Sequence, residues 1–530
     1  MFKFRSLAIA FGGLLFLAQL AYAQDVYVPT ESGLAHGLID GGMRAFRGLR
    51  YAAPPLGDLR WRDPEPPPVC PNGICEATNF GPICLQIKAS GILDGSEDCL
   101  TLNVFTPLDA GPDASLPVMF FVHGGGLARG SSHAQVPTPP PIVIDQNVVV
   151  VTIEYRLGVF GTLSHHQLTA ESGGSGDYCY FDTIAALEWV QRNIAQFGGD
   201  PRRVMLFGHS AGGTIVMQLA AAPRAAGLFA TIGLESGPLG EGQPLPTVTD
   251  CEPQGDYVAA AVNCDHAPDV LACMRAAPAL DLFKAYRSTP PSAAPGCLDA
   301  IVDARLSGRQ PLDVIRTGKT VPMLIGENSR EDGHDPNTQF SVDQYYSFVH
   351  DLLDPFGSQA VSDALKLYPL DSYPTPIAAA SDLYNDFIVG RGNRTWALAA
   401  ANDKSGADKE ARPVYKYLFT HTMENPESAV SGAFHGLELS FVFGTIPLGV
   451  SWFSDPFVPT PAEIELTHSI EGYWARFAAT GDPNGPGAVF WPKFQPKQEK
   501  FLRLDDLIEE DNRYHVKQME FLAQFNSHVS

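Results

Sequence analysis

Basic residues are scarce in this chain of 530 residues: Lys and Arg together number 36 against 59 Asp and Glu, a net charge of −23 at pH 7. Nucleic-acid binding rests on cations that release counterions from phosphates, so a chain this acidic is a poor candidate for it. Metal-ligand spacings are missing too: there is no Cys-x-x-Cys pair and no His-Glu-x-x-His stretch. No Gly-x-Gly-x-x-Gly completes the glycine turn at 124–126, and Gly318-Lys319-Thr320 fails as a phosphate loop because position 313 is Asp. No metal and no cofactor is therefore expected. Apolar runs of membrane-spanning length are lacking, and the tail from Phe521 to Ser530 is polar, which argues against a membrane or lipid anchor. Repeats and low-complexity tracts are absent as well. The composition, 45% hydrophobic and 18% charged, is that of a packed globular protein.

The first 23 residues stand apart. Lys3 and Arg5 precede an apolar run from Leu7 to Leu20 that ends in Ala21-Tyr22-Ala23, the pattern of a secretory signal peptide cleaved after Ala23. The expected product is a soluble exported protein, secreted or periplasmic, with one domain over residues 24–530. Nine cysteines in an oxidising compartment read as a disulfide framework with one left over. Cys70, Cys75, Cys84, Cys99, Cys251, Cys264, Cys273 and Cys297 can close four local loops, which leaves Cys179 as the odd one.

Val118 to Val122, Val148 to Ile153 and Val204 to Phe207 are continuous apolar runs, which read as strands covered on both faces. Between the last two, Ile184, Leu187, Val190, Ile194 and Phe197 recur at helical spacing, from Asp182 to the stop at Gly198-Gly199. Further strands are expected at Val321 to Ile325 and Val414 to Phe419. Strand and helix alternating in this way give an α/β fold with a mostly parallel central sheet and helices on both faces. The Pro-, Ala- and Cys-rich stretch from about 240 to 300 reads as a cap or rim excursion from that sheet.

The sharpest chemical signal is Gly208-His209-Ser210-Ala211-Gly212, set between the strand ending at Phe207 and a helix-like run from Thr214 to Ala222. Strand, Gly-x-Ser-x-Gly and helix make a nucleophile elbow, with Ser210 exposed above the sheet. A serine hydroxyl attacks only when a base takes its proton and N–H groups hold the resulting oxyanion. Gly125 and Gly126, in the turn His123-Gly124-Gly125-Gly126 after a strand, with the N–H of Ala211, are the candidate oxyanion hole. In this architecture the triad runs Ser, acid, His. His435, in Gly432-Ala433-Phe434-His435-Gly436, and a carboxylate of the segment Gly326-Glu327-Asn328-Ser329-Arg330-Glu331-Asp332-Gly333 lie just beyond strand ends, where open α/β sheets place their sites. His209 adjoins the nucleophile, and its side chain is expected to point away from it. Asn103 and Ser236 read as structural hydrogen-bonding residues. Asn393-Arg394-Thr395 is a glycosylation sequon or an ordinary surface turn.

With these motifs in order, the chain resembles the type-B carboxylesterase and lipase family, which includes the cholinesterases. Phe46-Arg47-Gly48-Leu49-Arg50-Tyr51-Ala52-Ala53-Pro54-Pro55, Ser96-Glu97-Asp98-Cys99-Leu100, Tyr155-Arg156-Leu157-Gly158, Gln196-Phe197-Gly198-Gly199-Asp200-Pro201 and Gly481-Asp482-Pro483-Asn484 carry the resemblance beside the glycine turn and the elbow. It implies an α/β-hydrolase fold, a small-molecule ester substrate, Ser210 as nucleophile, His435 as base and a glutamate as acid. That acid carries over to Glu331, five positions after Gly326; counting back from Gly333 points instead to Asp332, but Glu331 matches the family's side-chain type and needs no insertion in the loop. The resemblance implies Cys84–Cys99 and Cys264–Cys273 bridges, which leaves Cys70 with Cys75 and Cys251 with Cys297. Two departures argue against choline esters. No aromatic residue lies between Cys84 and Cys99, where cholinesterases carry a cation-binding tryptophan, and His209 replaces their Glu before the nucleophile. Cys179 replaces a residue commonly Gly in the family. The rival readings are a triacylglycerol lipase and, from another class, an adhesion or binding protein on the same fold, whose relatives lose the nucleophile.

Overall fold

The computed structural model describes residues 24–525 except 89, 137, 238–243, 291, 293–296, 298–300, 319, 333–338, 402–411, 424–431 and 447–457. The leader at 1–23 lies outside the described residues. A sheet of 13 strands forms the frame. Its path uses β1 (Asp25–Thr30), β2 (Gly33–Asp40), β3 (Met43–Arg50), β4 (Thr101–Pro107), β5 (Leu116–Val122), β6 (Val149–Ile153), β7 (Gly199–His209), β8 (Thr231–Glu235), β9 (Met323–Asn328), β10 (Val414–Phe419), β11 (Lys500–Leu504) and β12 (Glu509–Asn512). The order in space is β1-β2-β3-β4-β6-β5-β7-β8-β9-β10-β11-β12, with the short strand Ile74–Glu76 beside β2. From β6 through β11 neighbours run parallel, and antiparallel hairpins finish both edges.

Parallel strands are long apolar runs because each face meets its own layer of helices. In β5, Val118, Phe120 and Val122 enter one core with Ile184 and Leu187 of α1 (Tyr178–Asn193), Ile215 and Leu219 of α2 (Ala211–Ala221) and Trp396 of α3 (Arg391–Ala401). Met119 and Phe121, pointing the other way, enter a second core with Phe441 of α4 (Glu438–Val442) and with Leu466, Ile470 and Trp474 of α5 (Pro461–Thr480). The stretch after 244 folds into helices Val248–Ala261, Val270–Ala276 and Ala279–Arg287, stapled by Cys251–Cys297 and Cys264–Cys273. Cys70–Cys75 and Cys84–Cys99 complete the four bridges, and Cys179 is free and buried.

Two local expectations are corrected. The helix expected from Asp182 begins at Tyr178, because Asp182 is no cap: its fully buried carboxylate is clamped by Arg156, at 2.8 Å to Nε and 2.7 Å to the guanidinium end. Asn393 is neither a surface turn nor a glycan acceptor. It sits wholly buried in α3, its amide donating to the Gly326 carbonyl at 2.9 Å and to Glu327 at 2.7 Å.

Candidate active site

The parallel strands β5, β7, β9 and β10 all end on one edge of the sheet, and each delivers one part of the site there. After β7 the chain turns into α2 through Ser210, whose φ of 57° and ψ of −124° are strained for a residue with a Cβ. Close approach explains the flanking glycines. A Cβ on Gly208 would lie 2.5 Å from the Gly212 carbonyl carbon, and one on Gly212 only 2.1 Å from the Val122 carbonyl oxygen. The turn is held from below by the Ser210 N–H, which donates to the Glu235 carbonyl at 2.8 Å.

After β5 comes the glycine turn, with Gly125 at φ 121° and Gly126 at φ 64°. It abuts the elbow: a Cβ on Gly124 would come within 2.9 Å of Ser210 Cβ. Its ends are pinned from outside. Gly124 N–H donates to Gln135 at 2.8 Å, and Gln86 bonds both the N–H and the carbonyl of Gly130 at 2.9 Å.

After β9, Glu331 folds back so that Oε1 accepts the Asn328 N–H at 2.7 Å while Oε2 lies 2.5 Å from Nδ1 of His435, which arrives after β10. Burial pulls the His435 pKa down, but the adjoining Glu331 carboxylate more than offsets this, so it stands above the usual imidazole value. Glu331 is almost wholly buried, while His435 leaves a third of its side chain open to solvent. Asp332 faces elsewhere: it accepts from the Ser381 hydroxyl and lies 3.8 Å from Arg330. Thus the structure brings Glu331 and His435 together and leaves Asp332 apart.

Two residues at the site went unrecognised in the sequence, or were misjudged there. His209 is buried and its ring packs on His435, with centroids 4.3 Å apart. Glu438, one turn after His435, is buried and accepts from the Asn328 side chain. Burial, and then the charge of Glu331, push its pKa up to about 7. A glutamate at the third position after a candidate base was the available signal. Asn103 is a structural bridge, accepting from Gly48 N–H at 3.0 Å and donating to Thr152 at 3.0 Å. Three groups of His and carboxylates with metal-compatible spacing occur among the described residues: His165, His166 and Asp256; Asp145, His468 and Glu471; His421, Asp505 and Asp506. None includes Ser210, Glu331 or His435.

The family model described as "Carboxylesterase family" matches residues 24–522. Among curated proteins, a fumonisin B1 esterase of Sphingopyxis macrogoltabida is 33% identical over 89% of this chain and 85% of its own length. A para-nitrobenzyl esterase of Bacillus subtilis (strain 168) is 31% identical over 92% and 96%. Among solved structures, a PNB esterase superposes with a TM-score of 0.75 at 29% identity, covering 94% of this chain and 99% of that one.

Proposed function

The chain belongs to the carboxylesterase family, whose members hydrolyse carboxylic esters, and from that premise we propose an exported serine esterase working through Ser210, His435 and Glu331. His435 takes the Ser210 proton as the hydroxyl attacks the ester carbonyl, and Glu331 holds the Nδ1 proton and stabilises the imidazolium. The oxyanion is received by the N–H groups of Gly125, Gly126 and Ala211. His435 then returns its proton to the leaving alcohol, an acyl group stays on Ser210 Oγ, and water clears it by the same steps in reverse. No step calls for a cofactor.

The observation that carries this reading is the 2.5 Å contact of Glu331 Oε2 with His435 Nδ1, in a chain whose elbow serine stands at φ 57°. It favours an esterase over a binding protein, since a buried carboxylate at Nδ1 fixes the imidazole tautomer and stabilises the imidazolium formed when the base takes the serine proton. Export is supported by the Lys3–Ala23 leader pattern and the four disulfides. One hydrolase domain spanning 24–530 agrees with the extent of the family match. Substrates are small-molecule carboxylic esters, uncharged ones ahead of choline esters; a lipase would instead show activation on emulsified triglyceride.

The test is covalent. An organophosphonate should label Ser210, as read by mass spectrometry, and Ser210→Ala should abolish turnover of a p-nitrophenyl ester. Adducts at another residue, or retained turnover, would overturn the assignment. Because His435 must be neutral to accept a proton and its pKa is raised, kcat/KM should climb with pH through a midpoint above the usual imidazole value.

A further inference from the structure

The ring of His209 occupies a place that the steps above leave without a task. It is wedged between two turns of the site. A Cβ on Gly124 would lie 3.1 Å from its Nδ1, and one on Gly436 would lie 3.2 Å from Cε1 and 3.3 Å from Nε2. One flank is therefore the glycine turn and the other is the turn that carries His435, on whose ring it packs at 4.3 Å with the planes 46° apart. Both ring nitrogens are buried without a hydrogen-bond partner. Opposite Nε2, at 4.0 Å, stands Oε1 of Glu438, which is also buried and also without a partner. Unmet buried donors and acceptors are costly, and a small tilt of the imidazole joins these two.

Glu438 is tied in turn to the acid of the triad. Its Oε2 accepts from the Asn328 amide, and the backbone N–H of the same Asn328 donates to Glu331 at 2.7 Å. The same amide reaches the Phe434 carbonyl at 2.7 Å, next to His435. The contacts close a loop, from His435 through His209, Glu438, Asn328 and Glu331 back to His435.

Resting on the Ser210, His435 and Glu331 reading, we propose that His209 is a positioning residue: its ring braces the His435 imidazole beside Ser210 and, through Nε2–H, holds Glu438 as a second carboxylate for the base. When His435 becomes an imidazolium, it meets a neutral imidazole ring, tilted 46° to its own, on one side and the more distant Glu438 carboxylate behind that ring. A charged His209 would repel that cation. Burial first, and His435 next, hold its pKa well below the usual value, so it stays neutral. The titratable groups around the pair are His435 and Glu438 from the turn and α4, Glu331 after β9, Glu235 at the end of β8 and Tyr417 of β10. Burial, then Glu438, push the Glu235 pKa well up.

The experiment compares His209→Phe, His209→Gln, Glu438→Gln and the double variant His209→Phe/Glu438→Gln on a neutral p-nitrophenyl ester across pH. Phe keeps a flat ring and loses the N–H, so Glu438 takes up its proton more readily and no longer supports the His435 cation. The acid limb of kcat/KM should move down by about 0.5 pH unit, with kcat lower by about tenfold and KM within twofold. Glu438→Gln should do the same, and the double variant should be no worse than either single one. Gln at 209 keeps an N–H for Glu438 and loses the brace, so kcat should fall while the acid limb stays in place. It carries the test together with Glu438→Gln should the Phe variant not fold. An unmoved acid limb in both His209→Phe and Glu438→Gln, unchanged kcat in His209→Gln, or additive losses in the double variant would each overturn the proposal. Phosphonate titration keeps the underlying reading separate: labelling away from Ser210 in the unaltered enzyme defeats the triad, whereas full Ser210 labelling with unmoved profiles defeats only the role of His209.

Discussion

Glu331 and Asp332 are neighbours of the same charge, and amidating each in turn separates the triad acid from a bystander. In Glu331→Gln the new side chain has one acceptor oxygen and one donor nitrogen where the carboxylate had two acceptors. The acceptor side is already spoken for, since the backbone N–H of Asn328 points at Oε1 from 2.7 Å. The amide nitrogen is left facing Nδ1 of His435, which was 2.5 Å from a carboxylate oxygen. Two donors cannot face one another, so the imidazole shifts its proton to Nε2 and offers Nδ1 as the acceptor. In that tautomer Nε2 cannot take the Ser210 proton. The loss of imidazolium stabilisation adds to the tautomer effect, and a comparable change in a serine protease triad lowers kcat on the order of 10⁴, about 5 kcal/mol of barrier. Asp332→Asn should differ by no more than about twofold, because the Ser381 hydroxyl still finds an acceptor oxygen there. Turnover is measured at saturating p-nitrophenyl butyrate, with rates referred to phosphonate-titrated enzyme so that misfolded protein does not count. A Glu331→Gln enzyme close to full activity, or an Asp332→Asn enzyme down by orders of magnitude, would refute the argument.

Asp177, just before α1, is fully buried with neither carboxylate oxygen hydrogen-bonded, and burial, with Asp303 adding to it, holds its pKa well above the usual value. The folded state therefore keeps a proton that the unfolded chain releases above pH 4, so native stability falls as pH rises from there toward the raised pKa. Asp177→Asn should raise Tm at pH 8 and leave it unchanged near pH 4; a lower Tm at pH 8 would be the contrary result. Choline esters should be poor substrates, since the segment between Cys84 and Cys99 offers no aromatic ring to a quaternary ammonium. A missing cation–π contact of about 2 kcal/mol is roughly a 30-fold deficit in kcat/KM for butyrylcholine against a neutral butyrate ester, and parity between the two would show that another ring receives the cation.

What was legible in the sequence follows from how far each demand reaches along the chain. The elbow was readable because it is written in five consecutive residues between a strand and a helix, although only part of the crowding is local: a Cβ on Gly208 would meet Gly212, while one on Gly212 would meet Val122 of β5. The core strands announced themselves by continuous apolar runs, since both faces of β5 and β6 are covered. The start of α1 was misread because Asp182 has the chemistry of a cap, and only tertiary structure shows its carboxylate engaged by Arg156, distant in sequence. Asn393 misled for the same reason, as a three-residue pattern says nothing about a side chain drawn inward by Glu327. Between Glu331 and Asp332, counting along the chain gave two answers; what separates them are Asn328 and His435 on one side and Ser381 on the other. His209 is the extreme case. Alternation along β7 sets its side chain on the side of the strand opposite to its neighbours, and that rule alone says it leaves the nucleophile. It does not say that the turn after β10, more than two hundred residues later, brings His435 and Gly436 to the same spot. A residue can thus be excluded from a site by its own strand and restored to it by another.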